Sequence, residues 1–321
     1  MPSPPAGFDI SCVVHVHSTY SDGSATVPEL LSAAREAGAD AVLLSDHDTL
    51  GARRDGWEGL HDGVFLLVGI EISPKQGHYL AFGVEEEPSH VGRTAVEIAA
   101  AVRAAGGVGF AAHPFSTGGH MLVPSLARRI VLPHGWPSAR RRVPAIGGLD
   151  GHAPGIRVRG RVRSPLSHAR TFGLLRTHLI AQRALSGDLD LDRATLTGAL
   201  ADGSAWLSCP FVAPAEGARL WAEAADGTTV PMGGAGRARP ATLRLRLPRA
   251  ADIEVFRDGS SWHAAHGARV DLDVREPGAY RVEARLCGRL WLLSNPVHLR
   301  SRPQRPVAAT AADAASSSSP S

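Results

Sequence analysis

Histidines and carboxylates recur through the first half of this chain at the edges of short apolar runs. Those are the donors of a divalent-ion cluster. His15-Val16-His17 closes the first run. Residues two apart on a regular strand share a side, so both imidazoles are expected to project together. Ser21-Asp22-Gly23 follows as a turn bearing a carboxylate. Ser45-Asp46-His47-Asp48 closes the second run, and Glu71 closes the third in Gly69-Ile70-Glu71. His78 opens a run in Gly77-His78-Tyr79-Leu80, and His113 closes one in Ala111-Ala112-His113-Pro114. Asp150 and His152 end the series in Gly147-Gly148-Leu149-Asp150-Gly151-His152. Any one of these alone reads as a helix cap or a satisfied polar residue. The ordered set resists that reading, because so many polar groups on one rim are costly to desolvate unless ions compensate them.

The elements that must position these residues alternate. Short apolar segments at 10–16, 41–44, 64–70, 79–84 and 108–112 read as strands. Helical spacing is expected over 28–37, with Thr26 as cap, Pro28 in the first turn and Gly38 as stop. A second, Ala-rich helix is expected over 91–105, ending at Gly106-Gly107. Buried strands with helices between them argue for βα units on a mostly parallel sheet. Residues 116–142 break this rhythm and suggest no element. One more strand is expected over 143–149, then helices over 171–185 and 193–200, the latter ending near Gly203.

After about residue 205 the pattern changes to antiparallel strands at 243–247, 252–257, 269–274, 279–286 and 290–293. Asp258-Gly259 is a hairpin-turn signal. This predicts a β-sandwich over 205–300. The Pro-, Ala- and Ser-rich tail 301–321 is expected to be disordered. No internal repeat is found.

Composition excludes several classes. The chain has 321 residues, 44% of them hydrophobic, which is globular. Its formal charge of +3 does not argue for nucleic acid. Arginine is dense over 128–176 (Arg140-Arg141-Arg142; Arg157, Arg159, Arg161, Arg163). That density suits either a solvated face or an anionic substrate. Cys12, Cys209 and Cys287 are too far apart for a CxxC site, and their odd number draws no disulfide framework. No run of about 18 apolar residues is present, so no membrane span is expected. The start carries no signal-peptide pattern, and a cytoplasmic location is the expectation. Oligomeric state is not legible.

HVHSTYSDG, LLSDHD, GIEIS, HYLAFGV, AAHPF and GLDGH, taken in order, resemble the PHP (polymerase and histidinol phosphatase) family over residues 10 to about 204. The resemblance implies an α/β chain folded as a distorted (β/α)7 barrel, with two or three divalent ions (Zn, Mn or Fe) at the strand ends. It divides the chain into a metallohydrolase domain at 1–204, a β-sandwich at 205–300 and the tail. It places His15 and His17 on a first ion with Asp150. Glu71 bridges the first and second ions, and His78 and His113 complete the second. Asp22, His47 and His152 hold a third. Glu71 and Asp150 carry the catalytic role. Asp46 is expected to orient a neighbouring histidine or cap a turn. His120, His134 and His168 match no motif; for His134 and His168 the choice is substrate contact or surface. Relatives usually place another strand–helix passage between the residues matching His113 and Asp150. Only 36 residues lie between His113 and Asp150 here, and 116–142 are too short and irregular for that passage, so the barrel would lack a unit.

The implied activity is hydrolysis of a small anionic phosphate ester by metal-activated water. The C-terminal strands resemble an immunoglobulin-like appendage of some PHP hydrolases, which keeps a carbamate, amide or ester substrate open. A metal-binding module impaired in catalysis is the non-enzymatic alternative.

Overall fold

The computed structural model describes residues 4–74, 77–113, 144–152, 156–158, 161–163, 167–237 and 240–300. The irregular stretch 116–142, His120, His134, the Arg140–Arg142 run and the tail 301–321 lie outside the described residues.

The first half contains β1 (Phe8–Val16), α1 (Val27–Glu36), β2 (Ala41–His47), α2 (Gly51–Arg54), β3 (Gly59–His61) and β4 (Val64–Ile72). It continues with β5 (Tyr79–Phe82), α3 (Ala95–Ala104) and β6 (Val108–Ala111). Further along lie β7 (Ile156–Val158), β8 (Arg161–Arg163), α4 (His168–Phe172), β9 (Arg176–Ala181), α5 (Leu189–Asp202) and β10 (Ala205–Ser208). The last part holds β11 (Arg219–Ala224), β12 (Thr229–Pro231), β13 (Ala235–Arg237), β14 (Ala241–Arg257), β15 (Ser260–Val274), β16 (Gly278–Leu286), β17 (Arg289–Ser294) and β18 (Val297–Arg300).

The continuous apolar runs of β1, β2 and β4 are explained by burial on both faces. Val13, Val42, Leu44, Leu66 and Val68 face one cluster with Leu30 and Ala34 of α1. Cys12, Val14, Leu43, Phe65 and Leu67 face the other with Leu196 and Leu200 of α5. Proline and a capping box of Thr26 with Glu29 start α1. Thr94 and Glu97 form the same box on α3, so that helix begins later than its apolar pattern suggests.

A mostly parallel sheet was the expectation. Parallel pairing on the main path is confined to β1–β2 and β2–β4. The links from β4 to β5 and from β5 to β6 are antiparallel. Residues 73–78 are too few for a parallel crossover, which needs about a dozen. The expected helix over 171–185 is also corrected. Ser167 caps the single turn of α4, Gly173 ends it, and the next residues enter the sheet as β9 between β1 and β10. Buried Thr177 and Leu179 suit that slot, and tertiary pairing overrides helix propensity. The expected strand over 143–149 is not formed among its described residues. Gly147 and Gly148 follow Pro144, and Asp150 takes φ +51. Only an isolated parallel bridge, Val16 to Gly151, remains.

Twelve of the described strands follow one open hydrogen-bonded path, β12-β11-β14-β16-β17-β10-β9-β1-β2-β4-β5-β6; β3, β13, β15 and β18 pair beside it, and β7 with β8 makes a separate two-stranded sheet. They do not close into a (β/α)7 ring. β10 pairs with β9 on one side and β17 on the other, so the sheet runs through position 204/205. The expected strands at 243–247 and 252–257 are one 17-residue strand, β14, whose register breaks between Arg246 and Ala251. Its first part pairs with β11 and its last with β16. Asp258 at φ +50 and Gly259 at φ +87 turn the chain into β15. Trp206, Leu220, Leu245, Val255, Val282 and Trp291 form this half's own core.

One carboxylate ties the halves. Asp9 Oδ1 lies 2.7 Å from His178 Nδ1, and Asp9 Oδ2 accepts from Gly217 N at 2.9 Å and Arg219 at 3.3 Å. His178 Nε2 is 3.0 Å from Ser208 Oγ, and its ring stacks on Trp206. The order Asp–His–Ser mimics an acyl-transfer triad, but Ser208 is only 1% exposed, so the trio is a structural tie. Burial pushes the Asp9 carboxyl up; His178, Gly217 and Arg219 outweigh it and hold it below its ordinary value. Asp9→Ala is expected to lower unfolding stability by about 3 kcal/mol in a denaturant titration at pH 7, because it strands buried partners. A depressed acid contributes stability above its unfolded pKa and loses it as pH falls through the folded one. The wild-type advantage is therefore full above about pH 4 and shrinks below it. Equal midpoints at pH 7 would refute the tie.

Candidate metal centre

The ends of β1, β2 and β4, the start of β5 and the segment after β6 meet on one rim. Antiparallel turns at β5 and β6 explain why His78 lies before its strand and His113 after its own. All nine residues singled out in the sequence converge there. Their donor atoms fall into three overlapping groups: His17, Asp22, His47 and His152; His15, Glu71, His113 and Asp150; His47, Glu71 and His78. This grouping differs from the implied one, since His15 and His17 separate, as do His78 and His113.

Glu71 is the hub. Its Oε2 lies 2.8 Å from His15 Nε2, 3.1 Å from His17 Nε2 and 3.6 Å from His47 Nδ1. Its Oε1 lies 2.9 Å from His78 Nδ1 and 3.1 Å from His113 Nε2. The side chain is 0% exposed, so no water competes for either oxygen. Asp150 Oδ1 faces His15, His17 and His152 at 3.4, 3.5 and 3.5 Å. Asp22 Oδ1 faces His152 at 3.1 Å, His47 at 3.8 Å and His17 at 3.9 Å. His17 is sandwiched between His152 and His47, with centroids at 3.9 and 4.5 Å.

The two histidines of the HxH pair do not converge by regular pleating. The register of β1 against β2 slips between Val14 and Val16, and His15 takes φ +61. A bulge re-aims the first imidazole while His17 lies just past the strand. His113 at φ +26 and Asp150 at φ +51 are also left-handed. Such strain persists where the surroundings over-determine it. At His15 and Asp150 backbone bonds do so: Leu149 N to Val14 O, Gly151 N to His15 O and His17 N to Gly151 O. Gly148 permits this approach, since a Cβ there would lie 2.9 Å from His15 Cβ.

The electrostatics suit cations. Burial pushes Glu71 up, but His15 and His17 outweigh it and hold it well below the carboxylate range. Asp150 is raised by burial, yet His17, His15 and His152 bring it down to about 2. Burial lowers His17, but Asp150 and Glu71 push it up to about 9. His47 goes down, through burial and the neighbouring charge of His17. His17 is fully buried, and neither ring nitrogen makes a hydrogen bond among the described residues. Buried imidazole nitrogens without partners, facing carboxylates across 3–4 Å, are the donor set of Zn, Mn or Fe.

Supporting residues hold the donors in place, and of these Thr177 and Asn295 were not singled out in the sequence. Asp46 holds the turn that carries Asp22: its Oδ1 accepts from Ser18 N at 2.7 Å and Ser21 Oγ at 2.7 Å, and its Oδ2 from Ser18 Oγ at 2.6 Å. It was expected to orient a histidine or cap a turn, and it does the second. Thr177 Oγ1 accepts from Gly147 N at 2.8 Å. Asn295, fully buried, mimics a paired strand by bonding Ala145 N and O, both at 2.9 Å. Segment 144–152 is thus anchored partly from the C-terminal half. His168 sits at the start of α4 beside Phe172, away from the cluster. Arg176 is 1% exposed and donates to Ala37 O at 2.7 Å, so it is not open to substrate. The side chains of Arg157, Arg159, Arg161 and Arg163 lie outside the described residues.

Gly23 offers a direct test of the turn. A Cβ there would meet His17 O at 2.1 Å. Gly23→Ala is expected to move Asp22 and weaken one bound ion by about 10- to 100-fold in a titration, the scale of lost outer-shell support. Unchanged affinity at every site would remove Asp22 from the ligand set.

Residues 14–106 match the family model of the PHP domain. A protein of Eggerthella lenta described as phosphoribosyl 1,2-cyclic phosphate 1,2-diphosphodiesterase is 40% identical over 82 residues, 23% of this chain and 30% of that protein. The chain therefore matches under a third of that curated relative's length. Among solved structures, a two-domain protein of Bacteroides vulgatus, described as containing a PHP-like metal-dependent phosphoesterase, is 15% identical with a TM-score of 0.41. The match covers 92% of this chain and 97% of that one. A Bifidobacterium adolescentis protein described as a metal-dependent phosphoesterase is 29% identical with a TM-score of 0.19, covering 28% of this chain and 32% of that one.

Proposed function

We propose that this chain is a metal-dependent phosphoesterase whose ions are held by His15, His17, Asp22, His47, Glu71, His78, His113, Asp150 and His152. The observation that carries the reading is the convergence of five imidazoles on the two oxygens of one fully buried carboxylate, Glu71. The PHP-domain match over 14–106 and the diphosphodiesterase name of the Eggerthella relative support phosphate esters as the substrate class.

When bound, divalent ions lower the pKa of water toward about 7 and offset charge on phosphoryl oxygens. The chain's own residues then divide the work. Glu71 is enclosed by imidazoles on both oxygens, so its role is to bridge donor groups, not to accept a substrate proton. Asp150 keeps 30% of its side chain exposed and is the carboxylate placed to accept a hydrogen bond from the attacking water. Asp22, 60% exposed, marks the open side of the rim. We further propose residues 1–204 as the metal-bearing domain and 205–300 as a second domain. The core clusters, which part near residues 205 and 206, support that division.

The test is a panel of aryl phosphate mono- and diesters, carbamates and carboxylic esters, run with protein loaded with Mn, Zn or Fe(II). Ion-dependent hydrolysis of a phosphate ester is the expected outcome. Turnover of carbamates or carboxylic esters alone would move the assignment to that class. Ion binding without any hydrolysis would leave a binding module. No helix among the described residues is long and apolar enough to cross a membrane.

A further inference from the structure

Among the clustered imidazoles, His47 alone belongs to two donor groups, and it faces them through different nitrogens. Its Nε2 faces Asp22 Oδ1 at 3.8 Å, whereas its Nδ1 faces Glu71 Oε2 at 3.6 Å. A neutral imidazole carries one proton and offers one lone pair. Which nitrogen holds the proton therefore decides which group His47 serves.

Ser73 decides it. Its Oγ lies 2.7 Å from His47 Nδ1 and 3.1 Å from the Glu71 carbonyl oxygen. The carbonyl can only accept, and the hydroxyl has a single proton to give. Both contacts are hydrogen bonds only if Ser73 donates to the Glu71 carbonyl and accepts from His47 Nδ1–H. The reverse arrangement abandons one contact and puts a proton on Nε2, whose nearest ion-pair partner, Asp22, is 3.8 Å away. Ser73 is itself held in place, because its backbone N–H donates to Asp48 Oδ1 at 2.9 Å. Asp48 takes φ +52, and His90 Nδ1 lies 3.1 Å from the same Oδ1. Residues 48, 73 and 90 come from three separate segments, so this support is tertiary.

We infer that Ser73 is a positioning residue that keeps the proton of His47 on Nδ1 and presents Nε2 to the donor group of His17, Asp22 and His152, not to that of Glu71 and His78. The inference rests on the metal-site reading above and extends it to a residue outside the nine donors. The general pattern is that a ligating histidine gives its other N–H to an oxygen, which sets both ring orientation and ligand basicity.

The experiment uses metal-free full-length protein, its Ser73→Ala and Ser73→Thr variants, and a His47→Gln control that identifies the His47 signals. Nitrogen-15 correlation spectra of the imidazoles report the tautomer directly. Wild type and Ser73→Thr are expected to show His47 as the Nδ1–H form, and Ser73→Ala to lose it. Titration with Mn or Zn alone is then expected to show one ion weakened about 10- to 100-fold in Ser73→Ala, with the others unchanged and threonine restoring the loss. An Nε2–H tautomer in wild type overturns the inference, as does wild-type affinity for every ion in Ser73→Ala. The tautomer is read without ions, so it stands or falls separately from the phosphoesterase reading. That reading fails instead if the wild type binds no ion or hydrolyses no phosphate ester.

Discussion

Replacing Glu71 with glutamine is expected to abolish ion-dependent phosphate-ester hydrolysis, by at least about 1,000-fold, while the chain still folds. The two carboxylate oxygens each serve a different set of imidazoles: Oε2 faces His15, His17 and His47, and Oε1 faces His78 and His113. Glutamine keeps the size but offers only one acceptor oxygen, so one set meets an NH2 group instead. The charge that joins the groups is lost as well. His17, pushed up to about 9 by Asp150 and Glu71 against the effect of burial, keeps only Asp150. It can then shed its proton, which is why the buried site should tolerate the change without unfolding. Circular dichroism should match wild type, and elemental analysis should show fewer ions per chain. Full turnover with the ions still bound would sink the role given to Glu71.

Stripping the ions with a chelator is the second large effect. It should stop hydrolysis and lower the melting temperature, and re-addition of Mn or Zn should restore both. At a free ion concentration of 100 times Kd, each site contributes about 2.7 kcal/mol to the folded state. The pH dependence has a definite sign. His17 is raised from 6.5 to about 9 in the metal-free protein, so its pairing with Asp150 and Glu71 stabilises fully below pH 6.5 and is lost as pH rises through about 9. Ion binding runs the other way, because an imidazole must be deprotonated to ligate, so affinity rises over the same interval. The gap in melting temperature between loaded and stripped protein should therefore widen from pH 6.5 to 9. On the acid side, Glu71 and Asp150 are both depressed, and their contribution persists until pH falls through their low values. A gap that narrows with rising pH would mean that His17 is not a ligand.

The two experiments bear on different residues of one rim, and that rim was only partly visible in the chain itself. Which side chains would cluster was legible because imidazole and carboxylate at strand ends have few other uses in such number. The element ends near His15, His47 and Glu71 follow from apolar runs that stop where a polar donor begins. The turn at Asp22 was legible too, although not that Gly23 must be glycine for backbone to pass 2.1 Å from where its Cβ would lie.

Other features depended on partners distant in sequence. Segment 176–181 has helix-compatible residues and becomes a strand because β1 and β10 offer pairing edges on both sides. The bulge at His15 is a property of how β1 registers on β2. The hold on segment 144–152 comes from Thr177 and Asn295, the latter 150 residues away from the backbone it grips. Ser73 merely ends the GIEIS segment, with no role written there, and its effect on His47 exists only where β4 ends beside β2.

Composition and pattern thus determined which side chains bring donor chemistry, and that the strands of the first half are buried on both faces, because donor type and burial are written residue by residue. Which nitrogen points where, which donors share a neighbour, and how the sheet continues into the C-terminal half were decided by tertiary structure, because hydrogen-bond geometry and strand register arise between segments and belong to no single one of them.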